Sequence, residues 1–157
     1  MRTMEGRHAS RGSTTALLLA AAVALAGCTS TSMSSNVVPL TASLNGASEA
    51  PPTTSAGKGD GTFKFDKATK SLSWTVNYSG LGGDAAAAHL HGPAAPGVNA
   101  GVLINLANAG KVENPMVGET ALSDSQTADL LAGKWYVNIH TKANPGGEIR
   151  GQVVPQM

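Results

Sequence analysis

From Val37 onward, short stretches of alternating apolar and polar residues are broken by Gly, Pro, Asn and Asp. A period of two sends alternate side chains to opposite faces of a strand, and many such runs joined by turn residues predict an antiparallel sandwich or barrel. The pattern predicts strands near Val38–Leu44, Gly61–Phe65, Leu72–Tyr78, Ala86–His91, Val102–Leu106, Val112–Val117, Lys134–His140 and Glu148–Val153. Asp66–Lys70 closes a hairpin, and Trp74, Val76 and Tyr78 share one face of the third strand. One helix interrupts the series. Ser123 to Gln126 has the hydroxyl-x-x-Gln spacing of a capping box, Thr127–Leu131 continues it, and Gly133 ends it. Its narrow apolar face, Ala128, Leu130 and Leu131, suits a crossing between sheets better than a partner-binding role. The expected fold is all-β: an antiparallel Greek-key or immunoglobulin-like β-sandwich with one short crossover helix.

The first 27 residues break this pattern. Arg2, Arg7 and Arg11 form a positive n-region, Ala16–Ala26 is an apolar run too short to span a bilayer comfortably, and small residues follow. That is the layout of a secretory signal. Leu25-Ala26-Gly27-Cys28 resembles a bacterial lipobox, in which the cysteine is lipidated and becomes the first residue of the mature protein. The resemblance implies a lipoprotein held to a membrane through Cys28, since two or three acyl chains give stable anchoring where one does not. Thr29, in place of Asp, favours the outer membrane by the same resemblance, so the expected location is the cell envelope, facing the periplasm or the exterior. Thr29–Asn36 is a small polar run that reads as a tether over residues 28–36, ahead of a domain over 37–157.

Composition removes several classes of function. The leader holds three of the 11 basic residues and one of the 10 acidic ones, which leaves a formal charge of −1 and no basic stripe for nucleic acid. The one cysteine is assigned to the lipid, so the domain has no disulfide and stands on packing, with a metal as a further possible brace. No Gly-x-Ser-x-Gly elbow, phosphate-binding glycine loop or Cys–His pair is present. Two each of Phe, Trp and Tyr are too few for a platform that stacks sugars or bases.

The candidate chemistry lies in three histidines, the only ones beyond the leader: His89 and His91 in Ala-Ala-His-Leu-His-Gly, and His140 in Val-Asn-Ile-His-Thr. On a strand, residues i and i+2 leave the same face, so His89 and His91 can aim two imidazoles at one point. His91 is followed by Ala94, Pro96 and Gly97, and His140 by Ala143, Pro145 and Gly146 at the same offsets, with Asn138 standing where His89 would be. Two strands built and ended alike can lie side by side and bring the three rings together at one end of the sandwich. Three neutral imidazoles suit copper or zinc, and the affinity order favours copper. Structural packing is the alternative for each ring. Asn138 is read as a hydrogen-bonding accessory rather than a fourth ligand, Glu148 as a group holding a histidine by its other nitrogen, and Arg150 as a surface partner of Glu148.

These residues also carry a resemblance. Leu44-Asn45-Gly46-Ala47-Ser48-Glu49-Ala50-Pro51-Pro52, Ala88-His89-Leu90-His91-Gly92-Pro93, Trp135–Thr141 and Asn144–Gln152 look like the ordered motifs of the CHRD (chordin-type) domain family, over about residues 40 to 153. The resemblance implies an extracytoplasmic all-β domain and a binding role, with no established reaction. A fainter similarity is to Cu,Zn superoxide dismutase, which also places His-x-His on a strand and a later histidine before a Gly-Gly loop. That family has a fourth copper histidine, a zinc subsite and a disulfide, none of which is available here. The expected function is therefore a lipid-anchored binding module with a three-histidine copper or zinc site, with no enzyme activity assigned. The alternatives are a protein or matrix interaction module displaying its Pro-Gly loops, and a diverged copper-only dismutase.

Overall fold

Alternation along each strand separates a core set of side chains from a second set on the opposite face. The computed structural model describes residues 36–156. Within them, β1 (Val37–Asn45) leads through a 3-10 turn (Gly46–Ser48) and an irregular segment to β2 (Lys58–Asp66) and β3 (Ser71–Ser79). β4 (Ala85–His91), β5 (Val102–Asn105) and β6 (Met116–Ala121) follow, then α1 (Asp124–Leu131), β7 (Trp135–Thr141) and β8 (Ile149–Pro155). All eight strands pair antiparallel in one sheet, ordered β5-β4-β7-β8-β1-β2-β3-β6. The expected all-β antiparallel sandwich thus takes the form of a single curled sheet. One apolar cluster collects Leu40 and Leu44 of β1, Phe63 and Phe65 of β2, Leu72, Trp74 and Val76 of β3, Leu90 of β4 and Met116 of β6. Trp135, Val137 and Ile139 of β7 and Ile149 and Val153 of β8 join the same cluster.

Seven predicted strands match to within a few residues at their ends. The sixth is displaced, occupying Met116–Ala121 instead of Val112–Val117. Pro115 has no N–H to give to a ladder, so the pairing with β3 begins at Met116 opposite Val76. The capping box forms as read: the Ser123 hydroxyl accepts from the Gln126 N–H, and the Ser123 N–H donates to the Gln126 side chain at 2.9 Å. Gly133, at φ +68°, ends the helix in the left-handed region. α1 carries the chain from β6, at one border of the sheet, to β7 in the opposite half, and buries Leu130 in the core on the way.

β7 is the strand that matters most for function, because both of its faces are covered. Trp135, Val137 and Ile139 enter the core while Tyr136 and Asn138, though on the other face, are also buried. Loops supply that outer cover. The 92–101 loop is tied down by Arg150 of β8, whose guanidinium donates to Val98 O at 2.5 Å, and by Gln152, whose amide donates to Ala94 O at 3.0 Å. Asn99 then donates to Ala50 O, joining this loop to the segment that follows the 3-10 turn.

Candidate metal centre

β4 and β7 run antiparallel with His89 opposite Asn138, His91 opposite Tyr136, and His140 opposite Ala87. This register puts His89, His91, Tyr136, Asn138 and His140 on the outer face, and one nitrogen of each histidine lies within 4.8 Å of the others. His89 Nδ1 is 3.1 Å from His140 Nε2. The ring centroids are 5.0 Å apart for His89 and His140, 5.5 Å for His89 and His91, and 6.2 Å for His91 and His140.

Carbonyl oxygens fix two of the three tautomers. His91 Nδ1 lies 3.0 Å from Ala100 O, and His140 Nδ1 lies 2.9 Å from Pro145 O. A carbonyl only accepts, so both Nδ1 atoms carry the proton and both Nε2 atoms present a lone pair. The His91 Nε2 is buried, on a residue 7% exposed, and has no hydrogen-bond partner. His89 donates its Nδ1 proton to His140 Nε2, and moving that proton to its own Nε2 turns a third lone pair into the cluster. Burial pushes the His89 imidazole below its ordinary value, and the nearby His140 and His91 add to this. His140 is likewise lowered by burial, against the opposing carbonyl of Pro145, with His91 lowering it further. Both shifts favour the neutral rings that a metal requires.

Each following loop supplies the carbonyl that orients its own histidine, but not from equivalent positions: Pro145 lies within the repeated stretch, five residues on, whereas Ala100 lies beyond it, nine residues on. The expected placement at one end of the sandwich is corrected. Because β4 and β7 are antiparallel, the two loops leave from opposite ends, and the rings meet along the strands instead.

Three accessory roles also change. Glu148 touches no histidine. It is 0% exposed and accepts from Ser55 Oγ (2.6 Å), Thr141 Oγ1 (2.6 Å), the Gly82 N–H (2.7 Å) and Asn144 Nδ2 (3.3 Å). Burial pushes its carboxyl up, but these four donors outweigh it and hold the group below its ordinary value. Arg150 makes no ion pair with Glu148. It is 1% exposed, with Cζ 3.3 Å from the Tyr136 ring centroid, and it donates to Asn99 Oδ1 at 3.1 Å as well as to Val98 O. Asn138 bonds no imidazole; its side chain engages Glu49, and its Oδ1 has no partner.

Two neighbours of the cluster went unread in the sequence. Tyr136 stacks on His91 with centroids 4.9 Å apart and planes 2° from parallel. Its signal was present, because Tyr136, Asn138 and His140 alternate along one strand. Glu49 is 5% exposed; burial raises its carboxyl, which Arg150, the Ala50 N–H and Asn138 pull back down. It sits in the opening Gly-x-x-Glu motif, but nothing local indicates that it folds in beside Asn138. Cys28 and the leader lie outside the described residues, among which no helix is long and apolar enough to cross a membrane.

The described residues thus form an antiparallel all-β domain with three imidazoles gathered on one strand pair. The model of the CHRD domain family matches residues 40–153, nearly all of the described sheet, and the chain belongs to that family. The search of the curated proteins and that of the solved structures each found no match to this chain.

Proposed function

We propose that this CHRD domain is a metal-binding module of the bacterial cell envelope, anchored through a lipid on Cys28, in which His89, His91 and His140 take one copper or zinc ion. The observation that carries the reading is the buried, unpartnered Nε2 of His91, turned among two further imidazoles. A buried nitrogen without a partner costs about 1–3 kcal/mol, a cost that a bound cation removes. Carbonyls behind His91 and His140 supply the outer-shell support usual for ligating histidines. Among divalent ions, the order of affinities favours copper over zinc wherever both are present.

Copper titration of the full chain in detergent micelles, followed by EPR, tests the site. The expected result is one ion per chain with nitrogen hyperfine couplings, lost in His91→Ala; binding that survives in that variant refutes it. Cys28→Ser, followed by membrane fractionation, tests the anchor, and retention in the membrane pellet would count against it.

A second reading, as a protein interaction module, draws on a cleft of about 680 Å³ walled by Pro51, Pro52, Pro96 and Gly97 and floored by Glu49 and Arg150. Retained partner binding in the His91→Ala protein would favour it.

A further inference from the structure

Arg150 presents an unusual electrostatic arrangement next to the histidines. It is buried and permanently charged, yet no carboxylate oxygen lies within 4.0 Å of its nitrogens; the ion pairs among the described residues are Lys70–Asp124 and Lys134–Asp129. Neutral acceptors, Asn99 Oδ1 and Val98 O, hold the guanidinium in place. Its Cζ sits 3.3 Å above the Tyr136 ring, and that ring lies parallel to His91. Guanidinium, phenol and imidazole thus form one continuous stack ending on a proposed ligand, inside a region where charges interact more strongly than in water.

A fixed positive charge near a metal opposes the ion of higher charge more than the ion of lower charge. We propose that Arg150, stacked through Tyr136 onto His91, is a positioning residue that biases the three-histidine site toward the cuprous ion. This inference rests on the copper reading above. The effect needs no contact between Arg150 and the metal, only that the guanidinium remain held over the ring. Its hydrogen-bond acceptors are neutral, and the acid coupled to it, the buried carboxyl of Glu49, lies beyond ion-pair distance and is held above its ordinary value, so the charge is only partly offset.

The test measures Cu(I) and Cu(II) affinities of the full chain in micelles by competition with chelators specific for each ion. Two variants cancel the charge in different ways. Arg150→Met removes it, whereas Asn99→Asp puts a carboxylate where Nη1 now meets an amide oxygen. Asn99 is exposed, and Asn99→Asp costs the fold only the bond from Nδ2 to Ala50 O, so the second variant is milder for the fold than the loss of the buried Arg150 side chain. Both are expected to tighten Cu(II) relative to Cu(I) by about tenfold, equivalent to a potential lower by about 59 mV for a one-electron couple. Arg150→Lys retains the charge and is expected to keep the ratio closer to wild type than Arg150→Met does. A purely structural role would weaken both ions together, so an unchanged ratio in copper-loaded Asn99→Asp overturns the inference alone. If the wild-type chain takes up no copper, the metal reading fails and this inference falls with it.

Discussion

Replacing Glu148 tests whether the buried carboxylate is the fastening that holds the His140 loop. Its Oε1 takes Ser55 and Gly82 and its Oε2 takes Thr141 and Asn144, so one side chain links the segment before β2, the turn before β4, the end of β7 and the loop beyond it. Its own carbonyl also accepts from Thr53 Oγ1 at 2.8 Å. Glu148→Ala leaves four donors without an acceptor, and at about 1 kcal/mol net for each the loss is about 4 kcal/mol. That is a large share of a typical domain stability of about 5–15 kcal/mol. Glu148→Gln is gentler, because its oxygen can keep Ser55 and Gly82 while the Thr141 hydroxyl rotates and the Asn144 amide flips to accept from the new NH2 group. The expected loss is about 2 kcal/mol. Urea unfolding measures both: with m near 2 kcal/mol/M, Glu148→Ala should lower the midpoint by about 2 M and Glu148→Gln by about 1 M. Equal losses would mean that the negative charge, not the count of satisfied donors, does the holding. A loss below about 1 kcal/mol for Glu148→Ala would refute the fastening altogether.

Acid should weaken the metal-free domain in two stages. His89 and His140 lie below 6.5, so their contribution is complete above that pH and is lost as the pH falls beneath it; Glu148 lies below 4.5, so its contribution is lost on further acidification. Glu49 is raised above 4.5 and has the opposite sign, adding stability as the pH falls toward 4.5, so the histidine window is measured in a Glu49→Gln background and the Glu148 window by comparing wild type with Glu148→Gln. A urea midpoint that rises between pH 7 and pH 5.5 would contradict the histidine assignment. Gly147→Ala should destabilise by about 2 kcal/mol or more, because φ is +131° and the added methyl would sit 2.5 Å from Glu49 Oε1 and 2.6 Å from Asn138 Nδ2. An unchanged unfolding midpoint in that variant would show that the loop yields at little cost.

What could be read from the sequence depended on how local each signal was. Alternation placed Trp74, Val76 and Tyr78 on one face, which proves to be the core side, and the i, i+2 spacing of His89 and His91 put both rings on one face. The capping box at Ser123 was equally local. The pairing direction of β4 and β7 was not, because similar loops after two strands are compatible with either direction. Glu148 was misread for a related reason: Ser55 and Gly82, which capture it, lie far away in the chain. Arg150 and Glu148 are two positions apart and of opposite charge, which suggests a pair. The stronger claims on each come from Tyr136 and from the Glu148 donors. Pro115 was visible, and its missing N–H would have placed the start of β6 correctly.

The order of the strands bears on how the protein keeps its own company. A sheet that does not close offers free backbone at its two borders, where another chain can add itself and begin a fibril. Here those borders are β5 and β6, only four and six residues long, while the longest strands, β1, β2 and β3, each have neighbours on both sides. Little template remains for runaway polymerisation, whatever the concentration at which copies meet.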